Sequence, residues 1–536
     1  MKSSLTTAHI QQTEQSPGGA GSNRLQRQPD AIPEIALVDL AAHPAPPAPT
    51  AQNQRTNGDD TTINSKWDFC PRFLRLGTIN ILSNLMVPLA GLVDIAFLGH
   101  LEDLNYLAGV AIATVLFDYL YRMSKFLRMG TTGPTAQAAG SNNPSGVLLT
   151  LLRNGLIALV MGTLILAVQI PFKEIGFTLF HADPAVRAAG IEYFNARIWG
   201  APAVLLNFVL LGWWVGREKG GKVLALSLVG NGMNILLDYW FVFRLGWASA
   251  GVGLATTISQ YLMVMLGLVF IGLEGWLPQI PSVYKQIWHP QDLRRTFKLN
   301  ADIWVRSCTN VSISALFIGL SSSLGTLVLA ANTLLLHVVS LISHIVCGLA
   351  FATESLAGHF QGASTRTKLL PLLQLSILIS TGIGLLSALL FTLFPTTLFS
   401  LLTNHGSVIR QVGDDILWLF PVLVLGAIAF MLNGYFLGLT QSAIVRNSIV
   451  FSAFVGFIPI AGLAWWQQSG QLLWLAMAVF MVIRVITQSQ QVPATLEDTD
   501  IAFPSSPDYS MVKRMADQPT PLSPSHHKIR HHKKVA

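Results

Sequence analysis

Charge is what this chain lacks. Only 11% of its 536 residues are Asp, Glu, Lys or Arg, against about a quarter in ordinary soluble proteins. That deficit excludes a cytosolic enzyme, and the 51% hydrophobic content excludes a disordered or fibrous chain. Cysteine is scarce too. Cys70, Cys308 and Cys347 are too few and too scattered for a disulfide framework or a thiolate metal site. The formal charge of +7 is not gathered into a basic patch with interleaved aromatics, so nucleic acid is not an expected partner. No clustered acids or histidines at a membrane surface and no metal or nucleophile constellation appear at usable spacing, so no catalytic site, metal site or resident cofactor is expected.

What the sequence has is long apolar runs. A membrane-spanning helix needs about 20 mostly apolar residues, and twelve stretches qualify: 73–99, 105–128, 147–171, 195–216, 223–243, 250–273, 301–323, 327–350, 371–400, 413–437, 447–467 and 471–489. The segment before them, 1–65, is rich in Gln, Pro, Ser, Thr and Asn and reads as a disordered tail. The segment after them, 490–536, is also polar; its SHHKIRHHKK stretch reads as a solvated basic tail rather than a metal site. Lys and Arg of the short loops concentrate on one side, with Arg72, Arg128, Arg217, Lys285, Lys368, Arg446 and Arg484 among them, leaving Lys173, Arg187, Arg244 and Arg410 on the other. By the positive-inside rule both termini are cytoplasmic.

The chain also repeats itself. Leu107-Ala-Gly-Val leads to Thr135-Ala-Gln-Ala-Ala-Gly140, and Leu329-Ala-Ala-Asn leads to His359-Phe-Gln-Gly362, at a common offset of 222 residues. The same offset carries Gly216 onto Gly438. The expected fold is therefore an all-α membrane protein of twelve transmembrane helices in two pseudo-symmetric six-helix lobes around a central cavity. The lobes are placed at 66–273 and 301–489, with 274–300 as an amphipathic cytoplasmic connection.

Ionisable groups inside a membrane are costly and mark function by default. Asp94, Asp238 and Thr256, on the first, fifth and sixth helices, lie at one depth, roughly 8–9 Å below the outer surface at about 1.5 Å per residue. Asn231, Asn234 and Asp238 follow i, i+3, i+7 and share one helix face. Two carboxylates at one depth point to a cation or proton site that titrates as a unit. Each residue also has a plainer reading. Asp94 would reach outward to water, Asp238 would pair with Arg244, and the asparagines would hydrogen-bond between packed spans. Pro88 lies just inside Asp94 and removes one helix hydrogen bond, giving either a coupled bend or a static kink. Asn207 belongs to the pocket or to packing. Asp302 and Arg306 read as the start of the seventh helix, and Glu354 either as a group facing the cytoplasmic cleft or as a structural one.

The strings VPLAGLVDIAFLGHL, FLRMGTTGPTAQAAG, LLGWWVG, VGNGMNILLD, AGVGLATTISQY, VLAANTLLLH and GLAFATESLAGHFQGA, in colinear order over about 70–490, resemble the multidrug and toxic compound extrusion (MATE) family, in its DinF-like branch. The resemblance implies alternating access between two six-helix lobes and exchange of organic cations, drugs or organic acids for protons or sodium. It implies that Asp94, Asn234, Asp238 and Thr256 form the proton site. Asn433 stands where some relatives carry an acid, so no cation site is implied in the second lobe. The resemblance implies a monomeric, multi-pass protein of a bacterial inner membrane. Its expected activity is proton-driven export of small organic solutes, organic cations or drugs above all. Sodium coupling, export of organic acids and flipping of a lipid-linked precursor are the alternatives.

Overall fold

The computed structural model describes residues 67–101, 103–179 and 183–497, and among them every regular element is helical. Twelve helices are long and apolar enough to cross a membrane. They are α1 (Cys70–Gly99), α2 (Leu104–Gly140), α3 (Pro144–Ala167), α4 (Pro184–Gly216), α5 (Gly220–Arg244) and α6 (Ala248–Leu273), followed by α7 (Pro290–Ser323), α8 (Thr326–Gly362), α9 (Arg366–Leu393), α10 (Gly406–Gly438), α11 (Ser442–Trp466) and α12 (Gly470–Leu496). The N-terminal tail and the histidine-rich stretch lie outside the described residues.

Several helices outrun their apolar stretch. α7 begins at Pro290 rather than 301, which shortens the connection between the lobes. α2 continues past 128 to Gly140 with a break at Lys125, and α8 continues past 350 to Gly362. Structure also persists beyond 490, where Val492–Leu496 is helical and the Thr495 hydroxyl lies 2.7 Å from that of Tyr435. An apolar run measures only the part of a helix that hydrocarbon would solvate. Where neighbouring helices satisfy the side chains, the backbone continues through polar sequence.

Within the first lobe α1 packs on α5, α5 on α6, and α4 on α2 and α6; within the second α8 packs on α10, α10 on α9 and α12, and α7 on α11. Between the lobes, α8 lies against α1 and α2. The seam repeats the sequence offset in three dimensions. A side chain at Gly140 would fall on the His359 carbonyl, and one at Gly362 on the Gln137 carbonyl. His359 follows Gln137 by the same 222 residues that separate the two glycines. Gln137 donates to the Gly438 carbonyl at 2.8 Å and Ser355 to the Val215 carbonyl at 2.6 Å. These contacts lie at the end of the bundle where the described chain enters and leaves, here the near end. Asn300–Asn154 at 2.8 Å and Lys368–Asp68 at 2.7 Å join the lobes at the same end.

The connection between lobes is also tied down at the near end. Its helix Ile280–Ile287 buries Val283 and Ile287 against α3, and Arg153 of α3 donates to the Gln286 carbonyl at 2.6 Å and to Asp292 at 3.0 Å. Beside it, Glu274 takes contacts from Lys222, from Arg217 at 2.6 Å and from Trp276 at 3.0 Å. Burial pushes the Glu274 carboxyl up, but these three donors outweigh it and hold the group down at about 2. Its ordinary value is about 4.3. A depressed carboxylate contributes stability that is full above the unfolded value and lost as pH falls through the folded one. E274Q is therefore expected to melt below the wild type at pH 6. The gap in melting temperature should narrow as pH falls from about 4.3 towards 2. A gap independent of pH would show that the carboxylate charge contributes nothing.

Candidate functional site

The polar groups of the first lobe meet in its far half, between α1, α5, α6 and α4. α5 lies between α1 and α6, which puts Asp94 of α1 on one side of Asp238 and Thr256 of α6 on the other. Asn234 stands one turn below Asp238 and donates to its Oδ2 at 2.9 Å, with the Thr256 hydroxyl 3.4 Å from the same amide nitrogen. The Thr256 hydroxyl gives its own proton to the Val252 carbonyl at 3.0 Å, leaving its oxygen free to accept. Asp238 is fully buried and sits just before a π-helical turn, Trp240–Arg244.

Asp94 and Asp238 are neighbours whose carboxyls act directly on each other. The Oδ1 atom of each is buried and has no donor among the described residues. Two ionised carboxylates in such contact repel, and a proton between them converts repulsion into a hydrogen bond. Among the described residues no ion pair joins Asp238 to Arg244, whose side chain is exposed. The plainer reading of Asp238 therefore does not describe this geometry.

The remaining sequence candidates fall outside this cluster. Asn231 turns its amide to the Ser227 carbonyl of its own helix at 2.7 Å. Asn207 clamps α4 to α6, donating to the backbone and side-chain oxygens of Gln260 at 2.9 Å each. Pro88 lies within α1, which runs unbroken from Cys70 to Gly99, and it contributes no polar group to the pair. Asp302 is not at the start of α7 but well inside it. It is bound by Arg446 and by the Ser442 hydroxyl at 2.9 Å, and Arg306 is left out.

One charged residue of the site escaped the sequence reading. Arg197, at the joint of α4 before the turn Ile198–Gly200, lies within electrostatic reach of both Asp94 and Asp238. It donates to the Tyr193 hydroxyl, which also takes a 3.4 Å contact from Thr114, and its guanidinium stands 4.8 Å from the Phe117 ring centroid. Its Nε has no acceptor among the described residues. In the sequence it stands beside Trp199 and Gly200 at the edge of an apolar run, which gives no sign of a buried partner. Only the packing of α4 against α6 brings it inward.

The MatE family model matches the chain twice, over residues 80–240 and 303–461, one match to each lobe. DNA damage-inducible protein F of Escherichia coli is 32% identical over 411 residues, covering 75% of this chain and 88% of that protein. Among solved structures, a MOP superfamily transporter from Pyrococcus furiosus shares 19% identity at a TM-score of 0.69, covering 80% of this chain and 96% of its own. A multidrug resistance MATE family transporter in an outward-facing conformation also gives 0.69 at 19% identity, covering 79% and 96%. The doubled match and the near full-length relative agree with the two-lobe architecture, and the chain belongs to the MatE family of membrane transporters.

Proposed function

We propose that the protein is a secondary antiporter that exports small organic solutes in exchange for protons. Its proton site is Asp94 and Asp238, with Asn234 and Thr256 in support. The observation that carries this reading is the pair of facing carboxyls whose buried Oδ1 atoms lack donors. With Arg197 beside them, the three groups sum to one negative charge when both acids are ionised and to zero when one proton is bound. Proton entry thus changes the charge of a low-dielectric chamber, where such changes have large energetic consequences. Asn234 directs an N–H, not an oxygen, between Asp238 and Thr256. That favours a proton over a sodium ion, which needs oxygen ligands.

The near end, where the loop Lys and Arg residues gather, is the cytoplasmic side of an inner membrane in this reading, and both termini lie there. The lobes are closed on each other at that end, consistent with a cleft open to the far side and with alternating access by a single chain. The energetics suffice: one charge crossing 100 mV yields about 2.3 kcal/mol, and a tenfold solute gradient costs about 1.4 kcal/mol. Exchange of one proton for one monovalent cation gains nothing from the voltage, whereas a second proton would restore that term.

The test is a vesicle assay with the purified chain, imposing proton and sodium gradients separately against a panel of cationic, neutral and anionic dyes. A pH gradient alone is expected to drive efflux, and a sodium gradient at equal pH is not. Movement driven by sodium alone would overturn proton coupling.

A further inference from the structure

A second polar cluster lies at the lobe seam, some way from the carboxyl pair. Arg128 of α2, Arg306 of α7, Arg484 of α12 and Glu354 of α8 are 8%, 8%, 3% and 1% exposed. Among the described residues, the Nε of each arginine and Oε1 of Glu354 are buried without a partner. Arg306 has the Met129 sulfur at 3.2 Å and Arg484 the Met481 sulfur at 3.8 Å, weak acceptors for a guanidinium. Arg128 reaches the Asn84 amide oxygen at 3.1 Å and lies 3.7 Å from the Phe351 ring centroid. Among the described residues no ion pair joins Glu354 to any of the three.

The three cations against one acid leave an excess of two positive charges if all are ionised. A buried guanidinium without a counter-charge costs several kcal/mol, and such groups inside a membrane protein mark a ligand path. Arg306 and Glu354 line a small cavity with Met129 of the first lobe and Cys347, Phe351 and Asn433 of the second; Arg128 packs over Phe351 of its wall, and Arg484 lies within electrostatic reach of Arg306. Asn433 adds a buried amide nitrogen without an acceptor. The cavity holds about 10 Å³, room for one water. Because Met129 closes its wall from the first lobe, parting of the seam would enlarge it.

We propose that Arg306, Arg484 and Arg128, with Asn433, form an oxyanion site that takes a carboxylate or phosphate group of the transported solute when the near end opens. The proposal rests on the transport reading above and narrows its substrate class from organic cations to solutes bearing an anionic oxygen group. Closure of the seam collapses the chamber and removes the room for the anion, so loading at the near end and release at the far end follow from one motion. A soluble organic anion and an anionic lipid headgroup present the same chemistry to these guanidiniums.

The test uses the full chain in an uncharged detergent, with carboxyfluorescein as the soluble anion, short-chain phosphatidylglycerol as the lipid anion and ethidium as the cationic control. R306Q and R484Q are expected to weaken anion binding by at least about tenfold, the effect of losing one charge-assisted contact. R306K should retain most of the affinity, and ethidium binding should not change. Binding of carboxyfluorescein identifies a soluble anion; Arg-dependent binding of phosphatidylglycerol alone identifies a lipid headgroup, and either supports the site. Melting temperature gives a check on folding, since R306Q removes an unpaired buried charge and should not melt below the wild type. An added anion should raise the melting temperature of the wild type but not of R306Q. Failure of both anions to bind, or equal binding by the R306Q/R484Q double variant, overturns the proposal. If a pH gradient still drives ethidium across vesicles in that case, the antiport reading stands alone; if no dye moves in the vesicle assay, the antiport reading falls as well.

Discussion

Asp94→Asn is expected to reduce proton-driven efflux to the level of empty vesicles, and Asp238→Asn to do the same. Either change removes one of two facing carboxyls, so the remaining acid has no partner with which to share a proton. In Asp94→Asn the introduced amide can still donate to Asp238. In Asp238→Asn the introduced amide oxygen can still accept from Asn234, which in the wild type donates to the Asp238 carboxylate at 2.9 Å. Folding should therefore change by only about 1 kcal/mol, the scale of one hydrogen bond. The measurement is dye efflux under an imposed pH gradient, with melting temperature as the control. Undiminished transport by either variant refutes the assignment. Loss of activity together with loss of the folded form is resolved by Asn234→Ala, which removes a supporting amide but leaves both acids. That variant should transport with an altered pH profile rather than lose transport outright.

Gly362→Ala carries the second large effect. The added carbon would fall on the Gln137 carbonyl, and at the symmetry-related Gly140 it would fall on the His359 carbonyl. In both cases the obstacle is backbone, so no rotamer relieves it and α2 and α8 must move apart. Overpacking of this kind costs about 1–3 kcal/mol, which shifts the ratio of closed to open seam by roughly 5- to 150-fold. Cys347, which lines the cavity at the seam, reports this shift. In a Cys70→Ser, Cys308→Ser background, maleimide should label Cys347 faster in Gly362→Ala and Gly140→Ala than in the parent. Gly221→Ala, which meets nothing within 4 Å, should leave the rate unchanged. Unaltered labelling in both seam variants would mean that these glycines do not hold the lobes closed.

The spans and the duplication were readable because each depends on local or periodic properties of the chain. Apolar run length reports what hydrocarbon must solvate, and the spacing from Ala108 to Gly140 survives in Ala330 to Gly362. The depth of Asp94, Asp238 and Thr256 followed from helix rise alone. Helix ends were less readable, since α7 and α8 continue through polar sequence that neighbouring helices satisfy. Asn207 and Asn231 show what depth leaves open. Each lies in the same lobe as the pair, yet each directs its amide nitrogen elsewhere, to Gln260 and to the Ser227 carbonyl.

From the amino acids alone came the membrane class, twelve crossings, two like halves and a pair of acids at one level. All of these are set by composition, by periodicity or by distance along one helix. Tertiary structure alone decided which polar groups meet. It turned Arg197 towards the acids, gave Asp302 to Arg446 and Ser442, and left Arg306 and Arg484 buried with sulfur for company. The physical reason is rotation. A helix's sequence sets the height of a side chain, but its direction is chosen by the packing of neighbours hundreds of residues away.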